Sequence, residues 1–96
     1  PTVVPNNFNP EQWLSKFKFL SLKINDDFSG IKKYRGSING EWVLFEYEPK
    51  KKMLTYDFSD KYFENVKHKL KLEVEDNVGN KKIYQTTFFR KYDLKD

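Results

Sequence analysis

The 96-residue sequence has no cysteine, one histidine and one methionine. The lack of cysteine removes disulfides, thiolate metal sites and sulfur nucleophiles together. A single histidine, His68, cannot assemble a zinc site without thiolates beside it, and no serine sits in the glycine-flanked elbow of a hydrolase. Apolar runs are short: none approaches the ~18 residues of a membrane-spanning helix, and no signal peptide is visible. Membrane insertion by this stretch is therefore not expected. The opening "PTVVPNNFNP" has no initiator Met, which leads to the expectation that the chain is a piece of a longer protein.

What is present is aromatic. Hydrophobic residues make up only 38%, but nine Phe, six Tyr and two Trp bring aromatics to 18%. Large rings bury much area per residue, so this content closes a core for one domain without metal or staples. Charged residues reach 33% with a net charge of +4, a mild excess that does not demand a nucleic-acid partner.

Residues 1–16 read as a linker and a short helix. Pro and Asn dominate the first ten positions. Asn9 then suits a helix cap, Pro10 the first turn and Glu11 the positive end of the dipole. A helix so short leans on Trp13 and Leu14 for stability. From Phe17 the period changes to two. "FKFLSLKIN", "IKKYRGSI", "EWVLFEYE", "MLTYDF", "HKLKLEVE" and "KKIYQTTFFR" alternate between turn signals. They predict an all-β, immunoglobulin-like antiparallel sandwich of six to seven strands over residues 17–92, with 93–96 as a tail.

Asn39-Gly40 predicts a two-residue hairpin loop. Its register sets Ile38 opposite Glu41, Ser37 opposite Trp42 and Gly36 opposite Val43. Continued outward, it pairs Arg35 with Leu44, Tyr34 with Phe45 and Lys33 with Glu46. Opposed charges belong on the solvated side and paired rings in the core. Val43, Phe45 and Tyr47 are thus expected inside, leaving Trp42 and Leu44 outside beside Arg35. An apolar spot with a polar rim marks an interaction surface. Docking on another domain, or under the N-terminal helix, is the plainer reading of it, and sugar stacking the alternative.

"DNVGN", residues 76–80, raises the question of a cation loop. An EF-hand loop needs oxygen donors at positions one, three and five and Gly at six. Counted from Asp76, position three is Val78 and position six is Lys81, so the pattern fails and a turn is expected. Asp26, Asp27, Asp76 and Asn80 fall at one end of the predicted sandwich and form at most a weak cation site, opposed by Lys50, Lys51 and Lys52. No metal and no other cofactor is expected. His68 is in phase with Leu70, Leu72 and Val74, which makes it a residue at the border of the core. Lys69 and Lys71 alternate with Glu73 and Glu75, a pattern that disfavours a phosphate backbone. Nucleic acid is not expected, nor is catalysis, and a monomer is.

Three stretches in order carry a resemblance: Asp27, Ser29, Gly30 and Ile31; Asn39, Gly40, Trp42 and Val43; and His68, Asp76, Asn77, Gly79 and Asn80. Over residues 17–90 the chain resembles the C-terminal immunoglobulin-like domain of bacterial envelope proteins, notably lysostaphin-type zinc metallopeptidases. The resemblance implies a non-catalytic accessory domain of a periplasmic, outer-membrane-associated or secreted protein. The metallopeptidase's zinc ligands have no counterpart here. The partners it implies are the parent's other domains, with cell-wall glycan as the alternative.

Overall fold

The computed structural model describes residues 1–25, 30–60, 63 and 65–91. Eight strands form: β1 (Thr2–Pro5), β2 (Phe19–Asn25), β3 (Ile31–Ile38), β4 (Glu41–Val43), β5 (Glu46–Glu48), β6 (Met53–Asp57), β7 (Lys67–Asp76) and β8 (Lys81–Phe89). They make two four-stranded sheets, ordered β1-β2-β6-β5 and β4-β3-β7-β8, with every strand pair antiparallel. That is the ABED and CFG arrangement of an immunoglobulin-type sandwich, with β4 in the place of an added C′ strand.

Alternation along the strands builds the core. Leu20, Leu22 and Ile24 of β2 and Leu54 and Tyr56 of β6 are buried against Leu70, Leu72 and Val74 of β7. A chain of rings runs through the middle, from Phe45 to Tyr56, Phe58, Phe88, His68 and Phe63, each centroid 4.9–5.9 Å from the next. Such spacing suits offset and edge-on ring pairs.

The N-terminal helix does not form; the described residues contain no helix. Part of the capping signal is used, since Asn9 N–H donates to Gln12 Oε1 at 2.8 Å and Gln12 N–H to the Asn9 carbonyl at 3.2 Å. Glu11, however, takes φ 64°, which a right-handed helix excludes. The chain then pairs in parallel with the outer edge of β8. Leu14 N–H donates to the Phe89 carbonyl at 2.7 Å, and Phe89 N–H to the Gln12 carbonyl at 3.0 Å. An open strand edge offers every backbone group a partner at once, whereas two turns of helix must first nucleate. Leu14 is buried by this route, while Trp13 stays exposed and stacks on Phe89 at 5.3 Å.

The Asn-rich opening is ordered by pairing. After Pro5 ends β1, Asn6 and Asn7 continue along β2, where Ser21 N–H donates to Asn7 Oδ1 at 2.8 Å and Asn6 Nδ2 to Ser21 Oγ at 3.0 Å. Thr2–Pro5, read from sequence as linker, is thus an edge strand.

Candidate functional site

The Asn39-Gly40 turn has the expected register for three pairs, Ile38–Glu41, Ser37–Trp42 and Gly36–Val43. Both turn residues have positive φ, 55° and 81°. Beyond Val43 the predicted pairing stops. The chain leaves β3 and crosses to the other sheet, where Glu46, Tyr47 and Glu48 pair with Thr55, Leu54 and Met53. Tyr34–Phe45, Lys33–Glu46 and Arg35–Leu44 are therefore not partners. Arg35 lies opposite Glu73, and Lys33 Nζ is 3.5 Å from Glu75.

Residues 41–48 thus close one open side of the sandwich, lending a short strand to each sheet. Side-chain alternation persists through the crossing. Val43 and Phe45 are buried, and Trp42 and Leu44 are 55% and 54% exposed. Gly36 makes room for this path, because the Phe45 ring lies directly over it. Arg35 is exposed on the outer face of the second sheet, one row on from the Ser37–Trp42 pair. Leu44 instead borders a groove of about 810 Å³ whose other walls include Phe17, Phe19, Asp57 and Arg90.

Arg90 was not singled out by the sequence, where it reads as the polar end of a strand. In the fold it clasps the crossing N-terminal segment: Nη1 donates to the Leu14 and Phe17 carbonyls, the latter at 2.8 Å. The guanidinium lies 4.0 Å from the centroid of the Phe58 ring.

At the far end, "DNVGN" is a turn. Asp76 Oδ1 accepts from Val78 N–H at 3.1 Å and from Asn80 N–H at 2.8 Å, and Oδ2 accepts from Asn80 Nδ2 at 3.1 Å. Gly79 supplies φ 91°. Asn77 N–H donates to the Gly30 carbonyl at 3.3 Å, which brings the start of β3 alongside. Asp26 and Asp27, the other half of the weak cation site, lie outside the described residues, as does Ser29. Among the described residues no three His, Asp or Glu side chains group as metal ligands. Burial opposes ionisation of Asp76, but the donors from Asn80 and Val78 and the charge of the amino terminus outweigh it, holding the carboxyl below its ordinary range. The resulting stabilisation is complete above about pH 4 and is lost as pH falls through the lowered value. Asp76→Asn, which keeps the shape and removes the charge, is expected to lower the melting temperature at pH 7 and to bring it level with the parent chain's near pH 2.

His68 is fully buried, with its ring stacked on Phe88 at 4.9 Å and Phe63 edge-on at 5.6 Å. Nδ1 lies 2.8 Å from the Val66 carbonyl, which it donates to as the N–H tautomer. Burial pushes its pKa down, as does the Arg90 charge, against the raising effect of the Val66 bond. An imidazole held neutral in the fold gives stability that is whole above about pH 6.5 and falls as acid protonates the unfolded chain, by at most ~1.4 kcal/mol per pH unit. Urea midpoints taken from pH 8 to 5 are expected to show this decline, and a His68→Phe variant to lack it.

No family model matches the sequence, and no curated protein matches it either. Solved structures do match in shape. CopC from Methylosinus trichosporium OB3b aligns with a TM-score of 0.66 at 14% identity, covering 99% of each chain. The endo-beta-1,4-mannanase from Thermotoga petrophila aligns with a TM-score of 0.73 at 9% identity, over 96% of this chain and 20% of its own. The chain thus spans about one fifth of the mannanase. At such identities the likeness is one of fold: an immunoglobulin-like β-sandwich.

Proposed function

We propose that this chain is a non-catalytic accessory module of a larger extracytoplasmic bacterial protein, and that it docks on the parent's other domains through the 41–48 edge. One observation carries the reading. Trp42 and Leu44 are held outward by a backbone whose alternate residues, Val43 and Phe45, are fixed in the core. Neither side chain can turn inward without unseating a buried neighbour. A rigid apolar pair, half exposed, gains roughly 1–1.5 kcal/mol per side chain when a partner covers it, about half the value of full burial. Arg35 and Glu46 supply a polar rim, as docking patches have. The resemblance over residues 17–90 supports a setting in the cell envelope, in a protein such as a metallopeptidase. The mannanase, in which this shape fills a fifth of an enzyme, supports the accessory role.

Hydrogen exchange tests the proposal. In the full-length parent, amides of residues 41–48 are expected to exchange more slowly than in the isolated chain. Trp42→Ser with Leu44→Ser should abolish that difference and change the isolated domain's stability by no more than ~0.5 kcal/mol. Equal exchange in parent and isolated chain would remove the docking reading.

A further inference from the structure

The outer face of the second sheet divides into two halves of different chemistry. Antiparallel register sets the outward side chains in rows. Nearest the Asp76 turn, Lys33, Glu75 and Lys81 share one row, and Arg35, Glu73 and Ile83 the next. Each carboxylate there has a cation across the ladder. Toward the other end the acids stop. Lys71 lies between Ser37 and Gln85, Lys69 beside Thr87, and Lys67 beside Phe89. All three lysines are exposed, while the residues between them, His68 and Leu70, are buried. Among the described residues none of the three is in an ion pair. Alternate residues of a strand recur every ~6.8 Å, so the three lysines spring from the sheet in a line at regular steps.

Two aromatic residues border this line. Trp42 sits on the β4 edge opposite Ser37, and Trp13 lies at the other edge, bridged to Phe89 and 58% exposed. Between Lys67, Lys69 and the Asn39-Gly40 turn lies a depression of about 690 Å³, also lined by Asn65. Asn39 Nδ2 is buried at this turn and has no acceptor among the described residues.

We propose that this half-face binds an acidic polysaccharide. The lysines meet its carboxylate or sulfate groups, Ser37, Gln85 and Thr87 meet its hydroxyls, and a rim tryptophan covers the C–H face of a sugar ring. Charge complementarity selects a polyanion, and the side chains between the lysines select the kind. Binders of single-stranded nucleic acid place rings between their cations so that bases stack; here Ser37, Gln85 and Thr87 flank Lys71 and Lys69, and the one ring in these rows, Phe89 beside Lys67, already has Trp13 stacked on it. The inference goes beyond the docking edge and shares with it only Trp42.

Affinity electrophoresis of the intact chain through gels containing polygalacturonate, dextran sulfate or neutral dextran tests it, with a single-stranded oligodeoxynucleotide as competitor. Either acidic polymer should retard the chain, and neutral dextran should not. Joint replacement of Lys67, Lys69 and Lys71 by Gln is expected to weaken retention roughly tenfold, three exposed ion pairs each giving a modest factor. Replacement by Arg should preserve it. Replacing Lys23, Lys50 and Lys51 by Gln removes the same net charge elsewhere and should have little effect. The proposal is overturned by absence of retardation in both acidic gels, by equal losses in the two Gln triples, or by an oligonucleotide that binds more tightly than either polysaccharide.

Discussion

Gly36→Ala is expected to destabilise the domain by about 1–3 kcal/mol, the usual cost of forcing a methyl into a filled core. A Cβ at Gly36 would stand 2.3 Å from Phe45 Cε1 and 2.5 Å from its Cδ1, well inside contact distance. The ring has little room to retreat. It is 2% exposed, packs on Tyr56 at 5.6 Å, and hangs from the segment that ties the sheets together. Alanine also restricts the unfolded chain, a gain of ~0.4–1 kcal/mol, but the clash is the larger effect. Phe45→Ala should cost more, about 3–5 kcal/mol, by opening a cavity. The informative variant is the double one. With Phe45→Leu in place the blocking ring edge is gone, so adding Gly36→Ala should cost less than it does alone, a coupling of ~0.5–3 kcal/mol for groups in contact. Urea denaturation of the four proteins measures it. Strict additivity, or a neutral Gly36→Ala, would mean that the ring does not rest on the glycine. Phe45 also sets the path from Trp42 to Leu44, so losing it should disorder the docking edge along with the core.

The sheet faces were legible because period-two alternation is a local property. Leu70, Leu72 and Val74 had to share a side, and so did Val43 and Phe45, whatever the strands paired with. The turn at Asp76 was legible for a similar reason: its Asp, Asn and Gly satisfy one another within five residues. Connections decided at long range were not. "EWVLFEYE" reads as one strand, and nothing within it says that it changes sheets after Val43; the signal lies in Gly36, seven residues away, whose missing side chain admits Phe45. "NPEQWLSK" carries a true capping pattern, but the outer edge of β8, more than 70 residues on, competes for the same backbone groups and wins. The cationic half-face was hidden in turn. Along β7 the lysines and glutamates run in one series, and only the cross-strand partners show that Glu73 and Glu75 lie opposite Arg35 and Lys33 while Lys67, Lys69 and Lys71 face no acid.

Arg90→Met should cost about 2–4 kcal/mol, the greatest loss expected from any polar side chain here. Its Nη1 carries two bonds to carbonyls of the N-terminal segment, and hydrogen bonds from a charged donor are worth ~1.5–3 kcal/mol. The guanidinium over Phe58 adds ~0.5–2 kcal/mol. Methionine keeps most of the apolar stem, so lost packing is not the main effect. Arg90→Lys retains the charge but has no planar fork for two carbonyls and a ring, and should recover less than half of the loss. The damage should also be local. Leu14 N–H, bonded to Phe89, is released when the clasp opens, so its hydrogen exchange should speed up well before that of Leu72 in the centre of β7. A second readout separates the clasp from ordinary core loosening. The Arg90 charge is one of the causes that hold His68 neutral, after burial itself. Removing it should raise the His68 midpoint in an NMR titration of the folded chain, and Arg90→Lys should leave that midpoint nearly in place. If His68 titrates alike in all three proteins while Leu14 exchanges faster, Arg90 acts through its hydrogen bonds alone. If neither changes, the N-terminal segment is held by the β8 edge and the clasp is incidental.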